Sequence, residues 1–220
     1  MKIKRIVSDL LSSNMYILEE NRHAIIIDPN SDISDFESSI QYDWVLLTHE
    51  HYDHISGVNA WRNLCDVRVL CQRNCGENIA NPKKNISHYF NVFCEMQTWV
   101  EYERGRKYED YICKADETFE DSYMMEWQGH QIWMFSCPGH SDGGMCIQVD
   151  EKFLFSGDSL LGDFPTECRF PGGSRIKWEK EVIPKLHKLD KKLLVYPGHF
   201  DEFVLERWWD KTQGENNAGF

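Results

Sequence analysis

Long apolar runs are missing from this sequence. Nothing approaches the ~20 consecutive apolar residues that a membrane-spanning helix needs, so no membrane partner is expected. A secretion signal is missing too: the opening MKIKRIVSDLLSSNMYILEE has basic residues but no sustained apolar core and no small-residue cleavage site, which points to a cytoplasmic protein. Basic charge is in short supply, with 24 Lys and Arg against 36 Asp and Glu and a formal charge of −12. A general nucleic-acid binder needs a basic stripe to neutralise phosphates, so the balance argues against that class and no nucleic-acid partner is expected. Cysteine occurs as Cys65, Cys71, Cys75, Cys94, Cys113, Cys137, Cys146 and Cys168, never in a CxxC pair. A chain of 220 residues that is 41% hydrophobic can build its core without disulfide staples, so these read as reduced, buried thiols. Cys71 and Cys75, even with His88 added, read as structural thiols and not as a separate metal site. Internal repeats and low-complexity linkers are absent, which leaves one domain over residues 1–220. The composition carries no signal of oligomeric state.

Short strands and turn signals alternate along the chain. Asn14 to Leu18 and Ala24 to Ile27 flank the polar turn Glu19-Glu20-Asn21-Arg22, a hairpin pattern. Asp28-Pro29-Asn30 stops the second strand, and Ser31 is placed to cap a short helix through about Ile40. Trp44-Val45-Leu46-Leu47 is wholly apolar, as a strand buried on both faces should be. A helix through Leu64 and a strand at Val67 to Cys71 follow. Residues 86–112 read as a helical, aromatic insert, with Phe90, Phe93 and Val100 on one core-facing stripe and Gly105 at the stop. Tyr123 to Trp127 pairs with Gln131 to Phe135, and Gly143 to Val149 with Lys152 to Phe155. Ser174 can cap a helix to about Leu189 that Pro184 should kink. Leu193 to Tyr196 is the last strand. The alternation predicts an α/β layered architecture.

The chemistry is concentrated at strand ends. The apolar strand at Trp44–Leu47 runs directly into Thr48-His49-Glu50-His51-Tyr52-Asp53-His54. Three imidazoles and a carboxylate crowded there are costly without a cation, and they are the usual ligands of zinc and similar divalent metals. Three more segments repeat the format of an apolar strand, a glycine and a ligand-type residue. Trp133 to Cys137 leads to Pro138-Gly139-His140, Phe153 to Phe155 to Ser156-Gly157-Asp158, and Leu193 to Tyr196 to Pro197-Gly198-His199. Open α/β sheets form their ligand crevice at strand carboxyl ends. His23, His88, His130 and His187 have no such context and read as structural.

This ordered set resembles the metallo-β-lactamase superfamily in its glyoxalase II-like branch, from residue 14 to about 206. The resemblance implies an αββα four-layer sandwich with a metal site at one edge of its two sheets. It implies two divalent ions, zinc first, with iron or manganese as alternatives. His49, His51 and His140 would hold one; Asp53, His54 and His199 the other; Asp158 would bridge them. It implies a hydrolase using a bridging hydroxide on a small thioester, lactone or related ester. Asp53 would also orient the nucleophile and relay a proton, and Asp28 would support the ligands. Asp158 stands where the commonest zinc β-lactamases carry Cys, which disfavours antibiotic hydrolysis. The short stretch after His199 leaves no room for the glutathione-binding helical domain of true glyoxalase II. The loop at 162–170 and Phe200 also depart from the pattern of small relatives, near the expected substrate mouth. The alternative is a mononuclear iron oxidoreductase of the persulfide dioxygenase kind, using His49, His140 and Asp158. Trp99 and Tyr102, with the other insert tyrosines, are candidates to line the site.

Overall fold

The computed structural model describes residues 1–31, 33–96 and 107–209. Strands β1 (Lys2–Val7), β2 (Asn14–Glu20), β3 (His23–Ile27), β4 (Gln41–Leu47), β5 (Arg68–Gln72) and β6 (Glu117–Phe119) form one sheet in chain order. The β1–β2 and β2–β3 pairs are antiparallel, and the pairs from β3 to β6 are parallel. The second sheet holds β7 (Ser122–Trp127), β8 (His130–Ser136), β9 (Met145–Val149), β10 (Phe153–Gly157), β11 (Leu194–Pro197) and β12 (Phe203–Val204), again adjacent in chain order. It is antiparallel except for β10–β11.

Strand alternation sorts the apolar side chains into layers. Tyr16, Leu18, Ile25, Ile27, Leu46 and Leu70 face Ile132, Met134, Met145, Ile147 and Phe155 between the sheets. Their neighbours Met15, Ile17, Ala24, Ile26, Val45 and Leu47 point outward, under Ile55, Val58, Trp61 and Cys75. These come from α1 (Tyr52–Ile55), α2 (Val58–Leu64) and α3 (Arg73–Asn78). On the far side Leu154, Val195 and Cys146 are covered by Trp178, Val182, Leu186 and Trp208. The order helix, sheet, sheet, helix is the αββα sandwich, and it explains why Val45–Leu47 could be apolar without interruption.

Three hairpins turn through a pair of residues with both φ positive: Asn21–Arg22, Gln128–Gly129 and, within a three-residue loop, Asp150–Glu151. Such turns match the twist of antiparallel strands. Ser174 caps α5 (Arg175–Lys177), its hydroxyl accepting from the Lys177 amide. The helix then widens into a π turn over Trp178–Val182 before α6 (Ile183–Leu186). That wider turn is how the chain accommodates Pro184, which has no amide to give.

Among the described residues from Ser31 to Ile40 the expected helix is absent. Two isolated turns stand there instead, closed by Phe36 N to Ile33 O and Ile40 N to Glu37 O. The segment is dense in Ser and Asp, whose side chains compete with helical hydrogen bonds, while Phe36 and Ile40 still pack on the core. The aromatic insert begins with a 3-10 turn (Ser87–Tyr89) and α4 (Phe90–Met96). Phe90 is buried, as the stripe required, but Phe93 is only half-buried and faces the cavity described below. Val100, Trp99, Tyr102 and Gly105 lie outside the described residues. The cysteines are free, six of them buried. His88 pairs with Asp110 and His23 with Asp43. Among the described residues no cluster able to hold a metal includes a cysteine.

Candidate metal centre

The sandwich gathers the histidines at one edge. β4 delivers residues 48–51, α1 carries Asp53 and His54, and β8, β10 and β11 end just before His140, Asp158 and His199. Two glycines make the convergence possible. Gly157 has φ +50, and a Cβ there would stand 2.3 Å from Thr48 Oγ1. A Cβ on Gly198 would stand 2.2 Å from Asp158 Oδ1. Only glycine lets these backbones pass so close.

Two trios result, each with its ligand-type atoms within 4.8 Å of one another: His49, His51 and His140, and Asp53, His54 and His199. His140 Nδ1 donates to the Glu167 carbonyl (2.8 Å), so Nε2 carries the lone pair and faces His51 Nδ1 at 3.0 Å. In the second trio Asp53 Oδ2 lies 3.3 Å from both His54 Nε2 and His199 Nε2. Asp158 reaches both groups: Oδ2 is 3.4 Å from His140 Nε2 and 3.5 Å from His199 Nε2, and Oδ1 is 3.4 Å from His54 Nε2.

Asp28 sets the tautomers beneath. Its carboxylate accepts from Thr48 N (2.7 Å), from the Thr48 hydroxyl (2.5 Å) and from His54 Nδ1 (3.2 Å). With its proton given to Asp28, the Thr48 oxygen accepts from His49 Nδ1 at 3.0 Å. His49 and His54 therefore both turn Nε2 toward the crevice. Asp28, His49 and His54 also meet the distance criterion for a metal cluster. The oxygens of Asp28 are already engaged, so it reads as the orienting carboxylate that metal-ligating histidines require.

The electrostatics differ between the trios. Burial, helped by the neighbouring imidazoles, pushes His49 well down and His51 to about 3. Burial works to raise Asp53 and Asp158, but the histidines around them override it and keep both ionised. Burial also opposes protonation of His54 and His199, yet Asp53 and Asp158 raise both. His49 Nε2, His51 Nε2 and Asp158 Oδ1 are buried without a hydrogen-bond partner. Orphaned acceptors beside the neutral imidazoles of His49 and His51 and the ionised carboxylates of Asp53 and Asp158 fit divalent cations.

Sequence reasoning passed over two contributors. Glu50 is fully buried and accepts from Asn78 Nδ2 (2.9 Å), the Ser141 hydroxyl (2.9 Å) and Gly143 N (3.4 Å), tying the β4 loop to the His140 loop. Its place between His49 and His51 was the available signal. Phe170 was the other: its ring lies 5.5 Å from His51 and 5.7 Å from His140. Tyr108 and Tyr111, expected as possible lining, pack instead against Tyr52.

Fold and site together define a class. The family model of the metallo-beta-lactamase superfamily matches residues 8–199, and the chain belongs to that superfamily. It is 23% identical over 191 residues to the "Probable polyketide biosynthesis zinc-dependent hydrolase PksB" of Bacillus subtilis, covering 84% of this chain and 71% of that protein. It is 27% identical over 209 residues to the hydroxyacylglutathione hydrolase of Francisella tularensis subsp. novicida, covering 90% and 68%. The crystal structure of the BLEG-1 B3 metallo-beta-lactamase superposes with a TM-score of 0.76 at 23% identity, covering 95% and 97%. Among the described residues no helix is long and apolar enough to cross a membrane.

Proposed function

We propose that this protein is a binuclear metal-dependent hydrolase of a small thioester, lactone or related ester. The observation that carries the reading is the pair of ligand trios joined by Asp158, with orphaned acceptors on His49, His51 and Asp158. His49, His51 and His140 would hold one divalent ion, Asp53, His54 and His199 the other, and Asp158 would bridge them. Bound there, zinc, iron or manganese would supply Lewis acidity and bring the pKa of water from 15.7 toward ~7.

The chain's own residues would do the rest. Asp28 and Thr48 hold His49 and His54 with Nε2 forward, and the Glu167 carbonyl does the same for His140. Asp53, kept ionised, would turn Oδ2 to the His54–His199 trio and use its other oxygen, Oδ1, to orient the attacking water and take up its proton. Water oxygen joins the carbonyl carbon, the carbon–sulfur or carbon–oxygen bond breaks, and the leaving thiol or alcohol receives the proton. The alternative is a mononuclear iron oxidoreductase of the persulfide dioxygenase kind using His49, His140 and Asp158, and metal stoichiometry separates the two readings. The similarity to a probable zinc-dependent hydrolase and a hydroxyacylglutathione hydrolase supports the hydrolytic class.

The test is metal stoichiometry together with a substrate panel. Protein reconstituted with zinc, manganese or ferrous ion should bind close to two ions per chain and hydrolyse members of a thioester and lactone panel. Asp53→Asn should keep its melting temperature and lose at least ~100-fold in kcat. One ion at saturating metal, with dioxygen consumed as a persulfide is oxidised, would replace this reading with the oxidoreductase one.

A further inference from the structure

One cavity of about 700 Å³ opens over the site, its floor made by His51, Asp53, His140, Asp158 and His199. Aromatic rings stand on two sides of that floor. Phe170 and Phe93, 5.8 Å apart, border the His51 and His140 side. Phe164 and Phe200 stand beside His199, stacked with centroids 4.4 Å apart and planes 21° apart.

The second pair is unusual in three respects. Both rings are about half exposed, 53% for Phe164 and 52% for Phe200, although each is a large apolar surface. Phe200 has φ +68, a left-handed conformation that is a real outlier for a bulky residue. Such strain persists only where surroundings impose it, and it collects at ligand clamps. The surroundings here are specific: the Phe200 carbonyl accepts from Arg5 Nη1 (3.1 Å) and Asn14 Nδ2 (2.8 Å). Phe164 is likewise pre-set, on the tight turn that bridges Leu161 to Phe164, with Asp163 held by Arg207. Neither ring is needed to fill a core, yet both are held in place.

The charges on the wall narrow the occupant. Among the described residues that line the cavity the cations are Arg5 and Arg169. Arg5 is engaged by Asp201 and Glu202, and Arg169 by Glu167. With both guanidiniums matched by carboxylates, the wall is poorly suited to a phosphate or carboxylate tail and well suited to an apolar one.

We infer that Phe164 and Phe200 form a pre-organised aromatic clamp that selects substrates with a medium-length alkyl or aryl acyl group, with Phe93 and Phe170 lining the same cavity. The inference rests on the hydrolase reading for its chemistry but concerns which acyl group is held. Ring faces bind such groups by burial and stacking, and rigid rings lose little entropy on binding.

Two variants test it. Phe200→Gly removes one ring and accepts the positive φ, so its melting temperature should hold or rise. Phe164→Ala removes the other. Binding of the acid products butyrate, octanoate and phenylacetate to metal-loaded protein, measured by calorimetry, reads the clamp without turnover. Wild type should bind octanoate and phenylacetate at least about tenfold more tightly than butyrate. Each variant should erase most of that difference and leave butyrate unchanged. In turnover, KM for octanoyl thioester should rise about tenfold while that for acetyl thioester stays put. Equal affinity for the three acids, or selectivity untouched in both variants, overturns the clamp. Hydrolysis of thioesters independent of chain length overturns it while leaving the hydrolase reading intact. Chain-selective binding with no hydrolysis of any ester would uphold the clamp and sink the hydrolase reading instead.

Discussion

The two ligand trios lie side by side, His49 and His54 ring to ring at 4.3 Å, yet they are different chemical environments. One is three imidazoles bordered by Phe170, with His49 and His51 held neutral by burial. The other has two imidazoles and the Asp53 carboxylate, and its histidines hold protons because Asp53 and Asp158 face them. Each draws two residues from the stretch after β4 and one from the second sheet, so the fold supplies both in the same way. Carboxylate placement makes the difference. The all-nitrogen trio offers the lone pairs of His49 and His51 directly, whereas a carboxylate-rich one offers charge and must give up protons to take a cation.

The largest expected effect breaks the comparison at its shared member. Asp158→Ala removes the carboxylate that touches both trios, so metal content should fall from two ions per chain toward none and kcat should drop at least ~1,000-fold. His199→Ala should leave the first ion in place and empty the second. Elemental analysis of both proteins decides it: a full first site in Asp158→Ala would mean that the trios bind independently.

A smaller effect sharpens the comparison from below. Asp28 touches His54 directly but reaches His49 only through the Thr48 hydroxyl. Asp28→Asn should weaken metal binding about 10–100-fold, and more at the second trio than at the first. Competition with a chelator, followed ion by ion, measures the split. Equal weakening would show that the Thr48 relay orients His49 as firmly as the direct bond orients His54.

How much of this was legible in the sequence differs between the two levels. The seven residues that converge were readable because each follows an apolar strand or lies on the turn after one, and strand ends fix where a side chain can go. The layered fold was readable because Val45–Leu47 is apolar on both faces and the hairpin turns carry Asn, Asp and Gly. The short strands β1, β6 and β12 were not. β1 is largely exposed and rich in Lys and Arg, so it lacks the apolar alternation that marks a strand. The helix expected at Ser31 failed because a capping residue cannot offset a Ser- and Asp-rich sequence. The aromatic wall was legible only in part: the 162–170 loop and Phe200 were expected near the substrate mouth, but as departures from a pattern and not as rings, while Phe93 looked like core by spacing.

The smallest effect is a difference in pH response, and its sign follows from the protons each trio holds. His54 and His199 have raised pKa values in the metal-free protein, so they remain protonated to a pH above the ordinary ~6.5 of histidine. An ion entering that trio must displace those protons, and its affinity should fall as pH falls, by up to ~tenfold per pH unit for each proton displaced. The two histidines share their protons with Asp53 and Asp158, so the loss should be a broad, coupled one. His49 and His51 are lowered, His51 to about 3, and pose no such competition near neutrality. Metal titrations at pH 8, 7 and 6 should therefore show the second ion leaving first while the first is held. Parallel loss of both ions would mean that Asp158 couples the trios so tightly that their separate proton chemistry no longer matters.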